Sequence, residues 1–122
     1  MNTDQSLRKH LTEFLDGAQA HATFDDVIDK FPPKLRGEIP KGSPHSAWML
    51  LEHIRIAQHD ILDFNRNPEY KELNWPTDYW PKQPNPPSDA AWNKSVQSFH
   101  NDLAAMKKLV NDPKTDLFAI IP

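Results

Sequence analysis

Histidines are the side chains of this sequence best suited to metal or acid–base chemistry, and there are six of them: His10, His21, His45, His53, His59 and His100. A metal site built on helices needs two ligands three or four residues apart, so that both point the same way, with further ligands from another helix. No two of these histidines have that spacing. The closest pair within one predicted helix, His53 and His59, lies about 240° apart around the helix axis. The histidine spacing alone therefore predicts no complete metal site.

His53 stands out by its position in residues 43–64, where apolar residues recur with helical spacing. At about 100° per residue, five apolar side chains form one stripe: Leu50, Ile54, Ala57, Ile61 and Phe64. Leu51 and Leu62 widen the stripe on one side, and His53 borders it on the other. Four polar residues lie opposite and are predicted to face water: Glu52, Arg55, His59 and Asp63. Two roles remain open for His53, a metal ligand or a histidine at the core edge that bonds a polar neighbour.

Two further residues are candidates for the same site. His21 falls near Phe14 and Ala18 on the inner face of the first predicted helix, where it could bind a ligand or bond within the bundle. Asp60 follows His53 by seven residues and shares its flank, so its carboxylate could orient the imidazole, add a ligand or lie at the surface. The sequence has no G-x-S-x-G motif and no phosphate-binding glycine loop.

Residues 68–87 are rich in proline and aromatic residues. A structureless connection of this length is uncommon in a small domain and is usually functional or disordered. Because disordered segments are poor in aromatic residues, we predict an ordered loop that is held by aromatic packing. Trp75, Tyr79 and Trp80 could form one wall of a small-molecule pocket, or could close the end of a helical bundle.

Three amphipathic helices and no convincing strand are predicted, which places the chain in the all-α class. Thr3 or Asp4 is predicted as the N-cap of the first helix. Gly17 weakens its middle, so a break or kink is expected before residues 24–28. The two prolines that follow Phe31 end this helical segment, because proline lacks the N–H group and restricts the residue before it.

The second and third helices have clear start and stop signals. The second begins at Ser43, with a proline in the first turn, or at Ser46 as the N-cap, and ends at residues 67–68. The third begins after Ser88, an N-cap followed by an acidic residue, and ends at residues 111–113. Its apolar stripe is regular and consists of Trp92, Val96, Phe99, Leu103, Met106 and Val110.

Length and composition limit the possible functions. A chain of 122 residues is expected to form one domain. The net charge of −3 and the scattered basic residues predict neither a nucleic-acid partner nor a membrane surface. The absence of cysteine excludes disulfides, thiolate zinc sites and a cysteine nucleophile. No apolar run is long enough for a transmembrane helix, and residues 1–10 do not resemble a signal peptide, so a cytoplasmic location is expected.

Several segments, taken in order, carry a family resemblance. They are GAQAH in the first helix, RGEIPKGSPHSAWMLLEHIRIAQHDILDF, NPEY, a WP…YWP loop, W…F…L in the third helix, and DLFAIIP. In this order they resemble the DinB/YfiT-like superfamily of four-helix bundles. The resemblance spans essentially all 122 residues and is specific in HSAWMLLEHIRIAQ and YWP.

The resemblance implies a DinB-like up-and-down bundle over residues 1–122, with a long crossover between the second and third helices and three of four expected helices present. It also implies a divalent metal, commonly nickel or zinc, held by three histidines. The first of them matches His53, and the other two form H-x-x-x-H on a fourth helix that this sequence lacks. The implied function is a metal-dependent protein of hydrolase or thiol-transferase type, with an unknown small-molecule substrate, incomplete and inactive as this chain alone.

The wide apolar faces of the predicted helices also support a different interpretation. Three such faces, together with the apolar residues 117–121, exceed what three helices can cover, so the bundle would lack a fourth member or be completed by another chain. On this interpretation the protein is a non-enzymatic helical module that dimerises or binds a partner.

Overall fold

The computed structural model describes residues 2–17 and 22–121 and is all-helical over them, without a strand, as the sequence predicts. Its four α-helices are α1 (Thr3–Leu15), α2 (Phe24–Asp29), α3 (Ala47–Arg66) and α4 (Asp89–Asn111). Two short 3₁₀ turns, Pro33–Leu35 and Thr77–Tyr79, lie in the connections. None of the helices in these ranges combines the length and the apolar character needed to cross a membrane.

The first predicted helix is divided into α1 and α2, and its N-cap is Asn2 rather than Thr3 or Asp4. Helix α1 ends at Leu15, and Gly17 adopts a positive φ of 70°, a left-handed conformation that glycine tolerates and that ends helices. Helix α2 begins anew because Thr23 and Asp26 form a capping box, each side chain accepting from the other residue's backbone N–H. The break expected near Gly17 is therefore present. His21 and Ala18 lie outside the described residues.

Helix α3 begins at the later of the two predicted positions. The Ser46 side chain accepts a hydrogen bond from the backbone N–H of Met49 at 3.2 Å and is the N-cap. Its hydroxyl also donates to the carbonyl of Pro84 at 2.6 Å, and Ser46 is fully buried. The same serine thus starts α3 and fastens the end of the long loop to it. Helix α4 follows its predicted N-cap, Ser88.

Helix α4 is the central helix, because both α1 and α3 pack against it. The α1 contact is anchored by the buried Arg8, whose guanidinium donates to the carbonyl oxygens of Val110, Asp112 and Thr115, each at 2.7 Å. Val110 belongs to the last turn of α4, whose carbonyls have no intrahelical partners, whereas Asp112 and Thr115 follow the helix. Asp4 accepts from the guanidinium Nε at 2.8 Å and balances its charge.

The core lies where α2, α3 and α4 meet. Trp48, Leu51 and Trp92 are buried together, and partly buried apolar residues pack around them: Phe24, Ile28, Phe31, Ala47, Ala91 and Val96. Arg36 lies over the Trp92 ring, with its guanidinium carbon 4.4 Å from the ring centroid. The core therefore depends on large aromatic side chains, which bury more area per residue than aliphatic ones.

The apolar stripe predicted on α3 is largely uncovered. Four of its members are 43–56% exposed, and we call them the open stripe: Leu50, Ile54, Ile61 and Phe64. The side of α3 that faces α4 instead carries the buried Leu51 and Leu62. Glu52, predicted to face water, lies at this interface and accepts a hydrogen bond from Ser95 of α4 at 2.9 Å. That prediction was wrong because α4 packs beside the apolar stripe rather than on it, and Glu52 has a partner there.

Candidate functional site

His53 lies on the flank of α3 that faces the long loop. Its Nδ1 is 2.9 Å from the carbonyl oxygen of Tyr79, at the end of the second 3₁₀ turn. A carbonyl oxygen can only accept a hydrogen bond, so Nδ1 carries the proton and donates it. In the neutral imidazole, Nε2 is then the unprotonated nitrogen, the form that can bind a metal or accept a proton.

Trp80, the next residue of the loop, lies flat against the same imidazole. The His53 and Trp80 ring centroids are 3.9 Å apart with an interplanar angle of 7°. His45, which lies just before α3, also stacks on Trp80 at 3.9 Å and 17°. Trp80, a loop residue, therefore contacts both the start and the middle of α3. The Nδ1 of His45 is buried and has no hydrogen-bond partner among the described residues.

Asp60 holds the loop through two tyrosines. Its Oδ1 accepts from the Tyr70 hydroxyl at 2.7 Å, and its Oδ2 accepts from the Tyr79 hydroxyl at 2.5 Å. The hydrogen bond to the carboxylate, reinforced by burial and by the negative charge of Asp60, raises the pKa of both Tyr70 and Tyr79 to about 12. Both hydroxyls therefore remain protonated donors at physiological pH.

Four of the residues singled out from the sequence lie together at this position: His53, Asp60, Tyr79 and Trp80. Asp60 bonds two tyrosine hydroxyls, and no hydrogen bond or ion pair joins its carboxylate to His53. Trp75 lies at the margin, 69% exposed, with its ring tilted at 60° and 6.0 Å from that of His53. His21 lies outside the described residues.

Two members of this group were not singled out as site residues from the sequence. Tyr70 bonds Asp60, and its ring contacts Phe64 edge-on at a centroid distance of 5.4 Å. His45 stacks on Trp80 from its position just before α3. An aromatic residue within a proline-rich loop is the sequence signal available for Tyr70. No local pattern indicates that His45 and His53 share one indole.

Two other histidines, His59 and His100, pair with carboxylates on neighbouring elements. His59 Nδ1 lies 3.0 Å from Asp102 of α4, and His100 Nε2 lies 2.6 Å from Asp25 of α2. Both pairs link helices at partly exposed positions, where such contacts contribute little to stability. They are therefore surface cross-links between elements rather than parts of the His53 group.

The residues present fit one ligand position of the metal site that the resemblance implies. Within residues 2–17 and 22–121, no three His, Asp or Glu side chains form a group that could hold a metal ion. His53 is compatible with a single ligand position, because its Nδ1–H is bonded to a carbonyl, the usual outer partner of a ligating imidazole. No chemical step can be assigned to a metal from these residues alone.

The largest of five cavities found in the described part of the chain lies elsewhere. It is an open groove of about 470 Å³ between α2, α3 and α4, with a mainly apolar lining that includes Phe24, Val27, Phe31, Leu50, Ile54 and Phe99. Its α3 wall is the first half of the open stripe. Asp60 lines a smaller cavity of about 120 Å³, whereas Trp75, Tyr79 and Trp80 line none of the five. The loop aromatics therefore pack on α3 rather than forming the wall of one of these cavities.

Comparisons of the chain with protein families, with curated proteins and with solved structures gave no match.

Proposed function

We propose that this protein is a DinB-like metal-dependent helical protein of hydrolase or thiol-transferase type, in which His53 is one ligand of a divalent metal such as nickel or zinc. The other ligands would be supplied by a further helix that docks on the open stripe of α3. The substrate of such a site would be a small molecule of unknown identity. The sequence resemblance motivates the family, and the chemistry of His53 supports the ligand.

The observation that carries this proposal is the state of the His53 imidazole. Its Nδ1–H is bonded to a backbone carbonyl, one face is covered by Trp80, and in the neutral ring the lone pair is therefore on Nε2. Metal-ligating histidines commonly have this arrangement, because the outer hydrogen bond fixes the tautomer and the ring orientation. The open stripe borders His53 on the same helix, so a helix packed there would bring its own side chains close to the imidazole.

The test is the metal content of the protein. The protein is isolated from its source at native expression level, so that anything bound to it is kept. The wild type is compared with His53→Ala and with His59→Ala, a matched control on the same helix. Elemental mass spectrometry should find a stoichiometric divalent metal in the wild type and in His59→Ala, and a loss of most of it in His53→Ala. No metal in the wild type, or equal metal in all three proteins, contradicts the proposal.

A second candidate function is a non-enzymatic helical module that dimerises or binds a partner. The observation that favours it is the exposure of the open stripe beside an apolar groove of about 470 Å³. Contiguous apolar patches of this kind are rare on monomers and commonly mark interaction sites. A module of this type needs no metal, and its His53 would serve only to hold the loop.

Light scattering coupled to size exclusion separates the second candidate from the first. If copies associate through the open stripe, Ile54→Lys should convert the protein to a monomer, because a buried lysine charge disfavours an apolar interface. Leu35→Lys, which changes an exposed apolar residue outside α3, is the control and should leave the association unchanged. A monomeric wild type at all concentrations contradicts the dimeric form of this candidate.

A further inference from the structure

A continuous set of hydrogen bonds and one residue, Tyr79, link the Asp60 carboxylate to the His53 imidazole, although the two side chains share no hydrogen bond. Asp60 accepts from the Tyr79 hydroxyl at 2.5 Å, and the carbonyl of the same tyrosine accepts from His53 Nδ1 at 2.9 Å. Both ends of this connection lie on α3, seven residues apart, so the helix itself fixes the distance that Tyr79 must span.

Tyr79 is held at both ends by this arrangement. Its side chain is fixed by the carboxylate, and its backbone carbonyl faces the imidazole. The neighbouring Trp80 adds a second restraint, since its indole lies parallel to the imidazole at 3.9 Å. Two successive loop residues therefore restrain one histidine, the first through a hydrogen bond at its edge and the second through contact with its face.

We infer that Asp60 and Tyr79 are positioning residues for His53, which together keep the imidazole proton on Nδ1 and leave the Nε2 lone pair available to a ligand. The functional meaning of this inference rests on the proposed role of His53 as a metal ligand. The tautomer itself is a property of the metal-free chain, so it can be measured whether or not a metal binds.

The alternative is that Asp60 only holds the loop in place. Tyr70 distinguishes the two possibilities, because its hydroxyl bonds the other oxygen of the same carboxylate at 2.7 Å. A purely structural Asp60 would make the two hydroxyls equivalent in their effect on His53. A positioning role makes them different, because Tyr79 alone also supplies the carbonyl that accepts from Nδ1.

The test is nitrogen NMR of the histidine side chains in the full, metal-free chain, at a fixed pH where the imidazoles are neutral. His53→Gln identifies the resonances of His53. The wild type should show Nδ1 protonated and Nε2 unprotonated. Tyr79→Phe, which keeps the ring and the carbonyl and removes only the hydroxyl, should shift the tautomer ratio by about threefold to tenfold, the effect of one ordinary hydrogen bond. Tyr70→Phe should leave the ratio within about twofold.

Three results overturn the inference. The first is a wild-type His53 that is protonated on Nε2, which needs no variant to be observed. The second is an equal shift of the tautomer in Tyr79→Phe and Tyr70→Phe. The third is an unchanged tautomer in Tyr79→Phe with the loop intact, as judged from the indole N–H resonances of Trp75 and Trp80. Asp60→Asn is a second variant for the same test. It should shift the tautomer ratio as Tyr79→Phe does, because an amide oxygen accepts from the Tyr79 hydroxyl more weakly than a carboxylate.

A metal titration separates this inference from the proposed function, when it is done on the protein isolated from its source with anything bound to it and then stripped of metal. If both hold, Tyr79→Phe should weaken zinc or nickel binding about 10- to 100-fold, the usual effect of losing an outer partner of a ligand, and Tyr70→Phe should not. If the wild type binds no metal but shows the expected tautomer, the proposed function fails and the positioning role stands. If metal binding depends on His53 but the tautomer is insensitive to Tyr79, the positioning role fails and the function stands.

Discussion

The two apolar sides of helix α3 differ in what covers them. On the α4 side, Leu51 and Leu62 are buried, and Glu52 and Gln58 bond groups of α4. On the other side, the open stripe carries equally large apolar residues that remain about half exposed. Both sides are apolar enough to be buried. Only the side whose polar residues have partners on α4 is covered.

The covered side depends on a match between polar groups as well as on apolar packing. Gln58 Nε2 donates to the carbonyl of Phe99 at 2.9 Å, and Ser95 donates to Glu52. An unpaired polar group at such an interface would cost more than an apolar neighbour contributes. The open stripe has no polar groups to satisfy, so it can receive an apolar partner without specific hydrogen bonds.

The largest expected difference is between two adjacent residues of α3, Leu62 and Ile61. Leu62 is 1% exposed on the covered side, and Ile61 is 56% exposed in the open stripe. Leu62→Ala should lower the free energy of unfolding by about 2–5 kcal/mol, because it leaves a cavity. Ile61→Ala should change it by no more than about 0.5 kcal/mol in a monomer. Denaturant unfolding at low protein concentration measures both.

Equal losses of unfolding free energy in Leu62→Ala and Ile61→Ala would contradict the difference between the covered side and the open stripe. A loss at Ile61 that grows with protein concentration would sharpen it, because it would mean that a second copy covers the open stripe in solution.

The next effect concerns the loop flank of α3, where Trp80 is stacked and Trp75 is exposed. Trp80→Ala removes two stacked pairs, with His45 and His53, and should cost about 1–3 kcal/mol. Trp75→Ala is the matched control from the same loop and should cost less than about 1 kcal/mol. Thermal unfolding of the two variants checks the order. A larger loss for Trp75 would mean that the loop is anchored at its exposed end.

A smaller effect tests the polar part of the covered side. Gln58→Ala removes the donor to the Phe99 carbonyl and should lower the free energy of unfolding by about 1 kcal/mol. Gln97→Ala is the control, because Gln97 is exposed on α4 and bonds only Asn101 of its own helix. Its expected change is about 0.3 kcal/mol. Denaturation curves with equal slopes would allow the midpoints to be compared directly.

The helix ends were predictable because their causes are local. Ser46 and Ser88 cap the helices that follow them, and Gly17 marks the break after α1. In each case the signal is a side chain or a backbone preference that acts within about four residues. The all-α class follows from the same local patterns.

The contacts of the site were only partly predictable, because they join distant residues. Orienting His53 directly was one of three roles left open for Asp60, but its oxygens accept from Tyr70 and Tyr79, and its connection to His53 runs through a backbone carbonyl of the loop. Every residue has a carbonyl, so no sequence pattern marks the one that His53 meets. Glu52 was misplaced for a similar reason, since its partner Ser95 lies on another helix.

The smallest expected effect lies on the loop flank and depends on pH. The pKa of Tyr70 and Tyr79 is raised from 10.0 to about 12, chiefly by their hydrogen bonds to Asp60, so the folded chain retains protons that the unfolded chain releases between these values. The stabilisation is therefore complete below pH 10.0 and is lost as the pH rises through about 12.

Because the chain has only two tyrosines, the ultraviolet absorbance of phenolate reports this pair alone. Asp60→Asn should move the midpoint towards 10.0, whereas Asp63→Asn, one turn further along α3, should not. A wild-type midpoint near 10.0 would mean that the loop is not held to α3 by Asp60, and the loop flank would then be as open as the stripe beside it.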